Sequence, residues 1–161
     1  MNADAPPNNG IPDGEFSGEI GDFVIRDAAP PDAFAIIDLW EKCALIRPWN
    51  DPQKDIDRKF AAGNGAFWLV LDDARLVASV MVGYDGHRGS VNYLAVDPDY
   101  RGRQLGRLIM ERTEKYLIGL GCPKISLCVR KDNDSVSAFY DSMGYAIDDV
   151  HFFGKRLIPD D

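Results

Sequence analysis

Apolar and polar positions along the chain fall into two periods, and their order lays out a mixed domain. Phe23-Val-Ile-Arg-Asp27 reads as a short strand. Pro30-Pro-Asp32 then opens a helix on which Ala33, Ile36, Ile37, Trp40 and Ala44 recur at helical spacing, and Pro48 ends it. A second helix is predicted from Pro52 to Ala62, with Ile56 and Phe60 four apart and Gly63 as its stop. Branched and aromatic residues fill 66–71 and 76–84, joined by Asp72-Asp-Ala-Arg75 as a hairpin loop. Asp85-Gly-His-Arg-Gly89 is the next turn, with His87 at its surface, so that Ser90 to Asp97 adds another antiparallel strand. Leu105, Leu108, Ile109, Tyr116, Leu117 and Leu120 share one face of a long helix that Gly119 and Gly121 end. Lys124 to Arg130 reads as a strand, and Asn133 caps a short helix carrying Val136, Phe139, Tyr140 and Met143, stopped by Gly144. Strands over 145–149 and 152–157 close the pattern. The expected fold class is α+β, a mixed, mostly antiparallel sheet flanked by helices.

Residues 1–22 carry neither period. They hold Pro6, Pro7 and Pro12 with four glycines and three asparagines, and read as a flexible acidic arm that packs, if at all, through Ile11, Phe16 or Ile20. A single domain is then expected over 23–161. At 161 residues the chain is long enough for one core and short for two.

Charge sharpens this picture. The net charge is −8, and five acids with no Lys or Arg lie in residues 1–22, leaving −3 for the rest. That balance disfavours nucleic acid and anionic membrane surfaces as partners. No apolar run approaches the ~18 residues a membrane span needs, and the N-terminus lacks a signal-peptide pattern, so a cytoplasmic location is expected. Cys43, Cys122 and Cys128 form no Cys-x-x-Cys pair; they read as free thiols, and no metal site is indicated.

Against the acidic background Arg101, Arg103 and Arg107 stand together with no acid between 101 and 107. They occupy a loop with Gly102, Gln104, Leu105 and Gly106 that runs from a strand into a helix. Unpaired N–H groups and the positive end of the helix dipole meet there, which is a recipe for holding phosphate. Neither a Gly-Lys-Ser/Thr ending nor a Gly-x-Gly-x-x-Gly fingerprint is present, and no acid is placed for Mg2+, so a pyrophosphate suits the loop better than a transferable phosphate.

The run Leu94-Ala-Val-Asp-Pro-Asp-Tyr-Arg-Gly-Arg-Gln-Leu-Gly106, followed by Asn133-x-x-x-x-Ala-Phe-Tyr-x-x-x-Gly-Tyr145, resembles the two signature motifs of the GNAT superfamily of N-acetyltransferases, closest to its small bacterial YpeA-type branch. The resemblance implies a fold over roughly 23–158 that binds acetyl-CoA as cosubstrate and acetylates an amine acceptor. In that family the strand matching Leu94, Ala95 and Val96 offers backbone to the acetyl and pantetheine groups. The loop matching Arg101 to Arg107 wraps the pyrophosphate, the Asn matching Asn133 contacts the pantetheine side, and the Tyr matching Tyr140 protonates the departing thiolate. Gln104 departs from the pattern, standing where the family's first loop glycine is usual.

Acyl transfer to an amine needs an oriented carbonyl, a neutral amine and an acid for the leaving thiolate, and a tyrosine, protonated at pH 7, can be that acid. The base is not evident. Residues 88–94 hold no carboxylate, which leaves Asp85, or a water held by Asn92 or Tyr93. Trp49 and Asn50, in a loop no helical stripe explains, read as a packed turn or as acceptor contacts. Gln104 and the missing base also leave open a second reading, a non-catalytic coenzyme A or acyl-CoA sensor. Edge strands near the C-terminus are available to pair in a homodimer.

Overall fold

A computed structural model describes residues 17–160 of the chain. Its strands are β1 (Ser17–Ile20), β2 (Phe23–Asp27), β3 (Ala66–Asp72), β4 (Arg75–Tyr84), β5 (Gly89–Val96) and β6 (Ile125–Ser126), and its helices are α1 (Ala33–Lys42), α2 (Pro52–Ala62), α3 (Leu105–Gly119) and α4 (Asp134–Ser142). The strands form one sheet in chain order. Every neighbouring pair is antiparallel except β5 with β6, which run parallel. This is the expected α+β architecture.

Alternation along the central strands sends side chains to two cores. Along β3, Ala66, Trp68 and Val70 face one way, joining Ile25, Val77, Val80, Val82 and Val91 under α3's Leu105, Ile109, Met110 and Leu117. Phe67 and Leu69 face the other way, with Met81 and Ala95, under Ile36, Leu39 and Trp40 of α1 and Ile56 of α2. A sheet covered on both faces needs strands that are apolar at nearly every position, and β3 and β4 are.

Local chemistry sets the helix ends. The Asp32 carboxylate accepts from the Ala29 amide and from both guanidinium nitrogens of Arg26, each at 2.8 Å, which fixes the entry of α1 against β2. The Arg26 hydrogen bond holds the Asp32 carboxyl below the usual carboxylate range. Asp51 caps α2 by accepting from Gln53 and Lys54 amides, Pro52 takes its first turn, and Gly63 ends it in left-handed geometry.

Three sequence expectations change. Ser17–Ile20, assigned to the arm, is an edge strand, because the Gly21-Asp22 turn folds it back on Phe23–Arg26 and buries Ile20. The remainder of the arm, with Ile11 and Phe16, lies outside the described residues. The strand expected over 124–130 shrinks to Ile125–Ser126, since only Gly89 and Ser90 of β5 face it. The strands expected over 145–149 and 152–157 do not form. That segment is tied by side chains instead, Asp148 to Lys124, Arg156 to Asn50 and Asp160 to Arg58, and an alternating pattern becomes a strand only beside an edge with which to bond. The edge strands considered for a homodimer are therefore missing. Among the described residues no helix is long and apolar enough to cross a membrane.

The tightest backbone approach lies at the start of β3. Gly65 has φ +65°, and a Cβ there would sit 2.0 Å from the Val82 carbonyl oxygen. Gly65→Ala should lower the unfolding free energy by about 3 kcal/mol, combining left-handed strain with displaced backbone. Gly86→Ala, left-handed but in open space, should cost only about 1 kcal/mol. Paired denaturant melts check the difference; equal losses would mean that the contact with Val82 is unimportant.

Candidate active site

The sheet leads into the arginine loop over a stiff base. Beyond β5 the buried Asp97 carboxylate accepts from the Asp99 amide and, at 3.0 Å, from Arg75, which also reaches Asp99. Burial acts to raise the Asp97 carboxyl, and the Asp99 amide and Arg75 outweigh it, so it titrates below the usual carboxylate range. Tyr100 is buried with its hydroxyl donating to Asp72. Its ring has the Arg75 guanidinium 5.1 Å and the Arg103 guanidinium 4.8 Å from its centroid.

From that base the backbone turns left-handed at Gly102 (φ +78°) and again at Gln104 (φ +62°), and α3 begins. Position 104 therefore takes a conformation that suits glycine, and here Gln adopts it. No side chain caps α3, whereas α2 and α4 are capped by Asp51 and Asn133. The first-turn N–H groups of α3 are thus left for a ligand. The expected arginines surround this end. Arg103 lies on Tyr100, Arg107 donates to the Ser142 carbonyl and hydroxyl on α4, and Arg101 lies beside the Cys43 thiol. None of the three is ion-paired to a carboxylate among the described residues, so their charge is not cancelled. Leu105 is core, with only its backbone available, and Gly106 lets Phe139 of α4 approach the first turn, 3.4 Å from where a Cβ would stand.

The strand beside this loop is open on its outer edge. β6 pairs with Gly89 and Ser90 alone, so Val91 to Val96, including Leu94, Ala95 and Val96, have no strand on that side. On the inner side the register slips, because Tyr93 and Leu94 together oppose Val80 of β4. Tyr93 has φ +49° within this bulge. Its ring stacks on Trp40 at 3.8 Å between centroids and 9° between planes. Its carbonyl accepts from the Ser79 hydroxyl, which in turn accepts from Trp40 Nε1.

Tyr140 lies on the α3 side of the sheet, buried against Phe139 and Tyr145. Its hydroxyl makes no hydrogen bond among the described residues, and burial pushes its pKa up to about 12. Asn133 spends its side-chain oxygen on the Val136 amide as the cap of α4.

The acceptor candidates divide. Asp85 accepts from the His87 and Arg88 amides in the β4–β5 turn, which holds its carboxyl low and stations it at the end of β5 away from Leu94. Trp49 is exposed, and Asn92 is exposed on β5. Asn50 accepts from Arg156, and Tyr93 donates to Asp55. The sequence reading passed over Asp55, Trp40, Ser79 and the C-terminal tie of Asp160. No local pattern couples Asp55 to Tyr93, 38 residues apart.

Comparison with known proteins agrees with the fold. Residues 34–145 match the Acetyltransferase (GNAT) family. An acetyltransferase of Pectobacterium atrosepticum is 49% identical over 136 residues, covering 84% of this chain and 96% of its own. Among solved structures, glucosamine-6-phosphate N-acetyltransferase from Arabidopsis thaliana superposes with a TM-score of 0.62 at 19% identity, over 84% of this chain and 99% of that one. AAC(6')-Iy, in complex with the bisubstrate analogue CoA-S-monomethyl-acetylneamine, does so with a TM-score of 0.68 at 14% identity, over 84% and 99%. Likeness at those identities speaks for the fold.

The left-handed backbone at 104 yields a test. Gln104→Gly should leave coenzyme A affinity within about threefold and stability unchanged or slightly raised, because relief of strain offsets the added chain entropy. Gln104→Val, with a β-branched residue forced into the same conformation, should lose about 1–2 kcal/mol of stability. Calorimetric coenzyme A titrations and denaturant melts of both variants decide it; a tolerated valine would show that the loop does not need this geometry.

Proposed function

Because the chain belongs to the acetyltransferase (GNAT) family and is an acyltransferase enzyme, we propose that it carries the acetyl group of acetyl-CoA directly to a primary amine of a small molecule, peptide or protein, with both substrates bound at once. The observation that carries the reading is the adjacency of the open edge of β5 to the uncapped N-terminus of α3. The donors present fit the cosubstrate. The backbone edge at Leu94 and Ala95, bounded by Val96 whose carbonyl accepts from Cys43, matches an extended amide-bearing arm, and the α3 amides with Arg101, Arg103 and Arg107 match a pyrophosphate.

Each chain group then has a task. β5 backbone orients the thioester carbonyl, and the amine nitrogen attacks its carbon. The nitrogen–carbon bond forms, the carbon–sulfur bond breaks, the electron pair left on sulfur takes the proton of the Tyr140 hydroxyl, and the Tyr140 phenolate regains a proton from water once the products leave. Burial favours this role, since a phenol with its pKa near 12 stays protonated through neutral and mildly alkaline pH. Asn133 fixes the start of α4 and hence the station of Tyr140. An acetyl-cysteine route has little support: burial raises the Cys43 thiol, which also donates to the Val96 carbonyl, so little of it is thiolate. His87 lies in the β4–β5 turn and His151 beside Phe153. The net charge of −8 suits a cationic acceptor.

Tyr140→Phe should lower kcat at least about 100-fold at pH 7 while acetyl-CoA affinity stays within about twofold. In the native protein no loss of rate should come from Tyr140 ionisation below about pH 11, because its raised pKa keeps the donor protonated until then. Free-thiol release from acetyl-CoA, measured across an amine panel, checks both. An unchanged rate at saturating substrates removes the acid role, and tight acetyl-CoA binding without acceptor-dependent thiol release would make the protein a sensor.

A further inference from the structure

The acceptor nitrogen must lose a proton, and the α1/α2 face of the sheet holds an arrangement suited to receive it. Tyr93 is half-buried and strained at φ +49°, and it is fastened at both ends. Trp40 and Ser79 hold its ring and carbonyl, and its hydroxyl donates to Asp55 Oδ2 at 2.6 Å. Asp55 lies on α2 with its side chain 23% exposed, and its other oxygen accepts from Arg58 at 3.3 Å. A tyrosine whose proton is committed to a carboxylate presents the lone pairs of its oxygen as acceptors; the Asn50 side chain takes one and the other is left for a substrate proton. Tyr93 adjoins Leu94 on the strand edge that orients the thioester, and it lies on the face opposite Tyr140. Acid and proton acceptor are thereby kept apart, as a transfer with a leaving thiolate on one side and an entering amine on the other requires.

We propose that Asp55 is the positioning residue for deprotonation of the acceptor, a role that rests on the acetyltransferase reading above: it aims the Tyr93 hydroxyl at the amine and its carboxylate is where the proton comes to rest. As the acceptor nitrogen forms its bond to the acetyl carbon, its N–H proton passes to Tyr93 Oη. The phenol's own proton moves along the existing hydrogen bond to Asp55 Oδ2. The nitrogen ends neutral, Tyr93 ends as it began, and the carboxylate becomes a carboxylic acid that later returns its proton to water. Burial and Asp55 both disfavour the Tyr93 phenolate, so the residue acts as a neutral carrier rather than as the base itself. The charged and polar groups that act on the pair are Arg58 on α2, Asn50 before it and Asp160 from the C-terminal segment; Lys54 and Arg156 lie one contact further out, on Asp160 and Asn50. Arg58 and Lys54 both contact Asp160, which is drawn down to about 2 chiefly by Arg58 and so stays ionised. Asp160 thus keeps Arg58 from neutralising Asp55 alone.

The test compares native protein with Asp55→Asn and Tyr93→Phe, the first keeping an oxygen for Tyr93 and the second keeping the ring on Trp40. Thiol release is followed from pH 6.5 to 10 at saturating acetyl-CoA, with whichever of spermidine, lysine amide and an alanyl peptide the native protein acetylates fastest. Asp55→Asn should lose about 100-fold in kcat at pH 7, with acetyl-CoA affinity and acceptor KM changed less than about threefold. The deficit should shrink by about tenfold per pH unit, because hydroxide then replaces the missing carboxylate. A purely structural contact would give a deficit independent of pH. That result, or a rate within threefold of native, overturns the proposal. If Asp55→Asn does not fold by its melt, Tyr93→Phe is read by the same criteria. Failure of native protein to acetylate any of the three amines overturns the acetyltransferase reading together with this one, whereas native turnover with unaffected variants overturns only the role of Asp55.

Discussion

The bulge at Tyr93 is the constraint on which the site depends. A bulky residue in left-handed geometry inside a strand is costly, of order 1–3 kcal/mol, and persists only where its surroundings over-determine it. Here they do: a ring stacked on Trp40, a carbonyl on Ser79 and a hydroxyl on Asp55 draw on α1, β4 and α2 at once. The bulge takes Tyr93 and Leu94 out of simple register with β4 and re-aims the strand at the point where β6 has already left it. A regular β5 paired on both edges would offer a substrate no backbone there.

Electrostatics follow a similar division of labour. Acidic side chains in this negatively charged protein are used up locally, as helix caps at Asp51, as a turn at Asp85, and with Arg75 at Asp97 and Asp99. The end of α3 has no such residue, and its arginines contact an aromatic ring, a hydroxyl and a thiol rather than carboxylates. Positive charge is therefore gathered at one helix terminus against an acidic background.

Elements with strong periods were legible in the chain. The β3–β4–β5 run, α2 and α3 formed where alternation or helical spacing placed them, because a face that must be buried leaves its period in the sequence; α1 stops at Lys42, short of the Ala44 assigned to its stripe, since Ala44 turns left-handed (φ +55°). The arginine loop was equally plain, since its chemistry is contiguous. The 145–157 stretch misled: its apolar residues look like strands, yet Phe152 and Phe153 remain exposed because no edge lies beside them and ion pairs hold the segment elsewhere. Ser17–Ile20 misled in the opposite sense, being weakly patterned and yet fastened by a tight hairpin.

The sequence by itself determined the two-faced sheet, the order of its helices and the presence of an arginine-rich loop leading into α3, since each is encoded by residues close together in the chain. Tertiary structure alone decided that position 104 carries left-handed backbone, that Asp85 serves a turn, and that Asp55 meets Tyr93. The reason is geometric. A hydrogen bond between a helix and a strand 38 residues apart depends on how α2 packs against the sheet, and no local pattern records that packing.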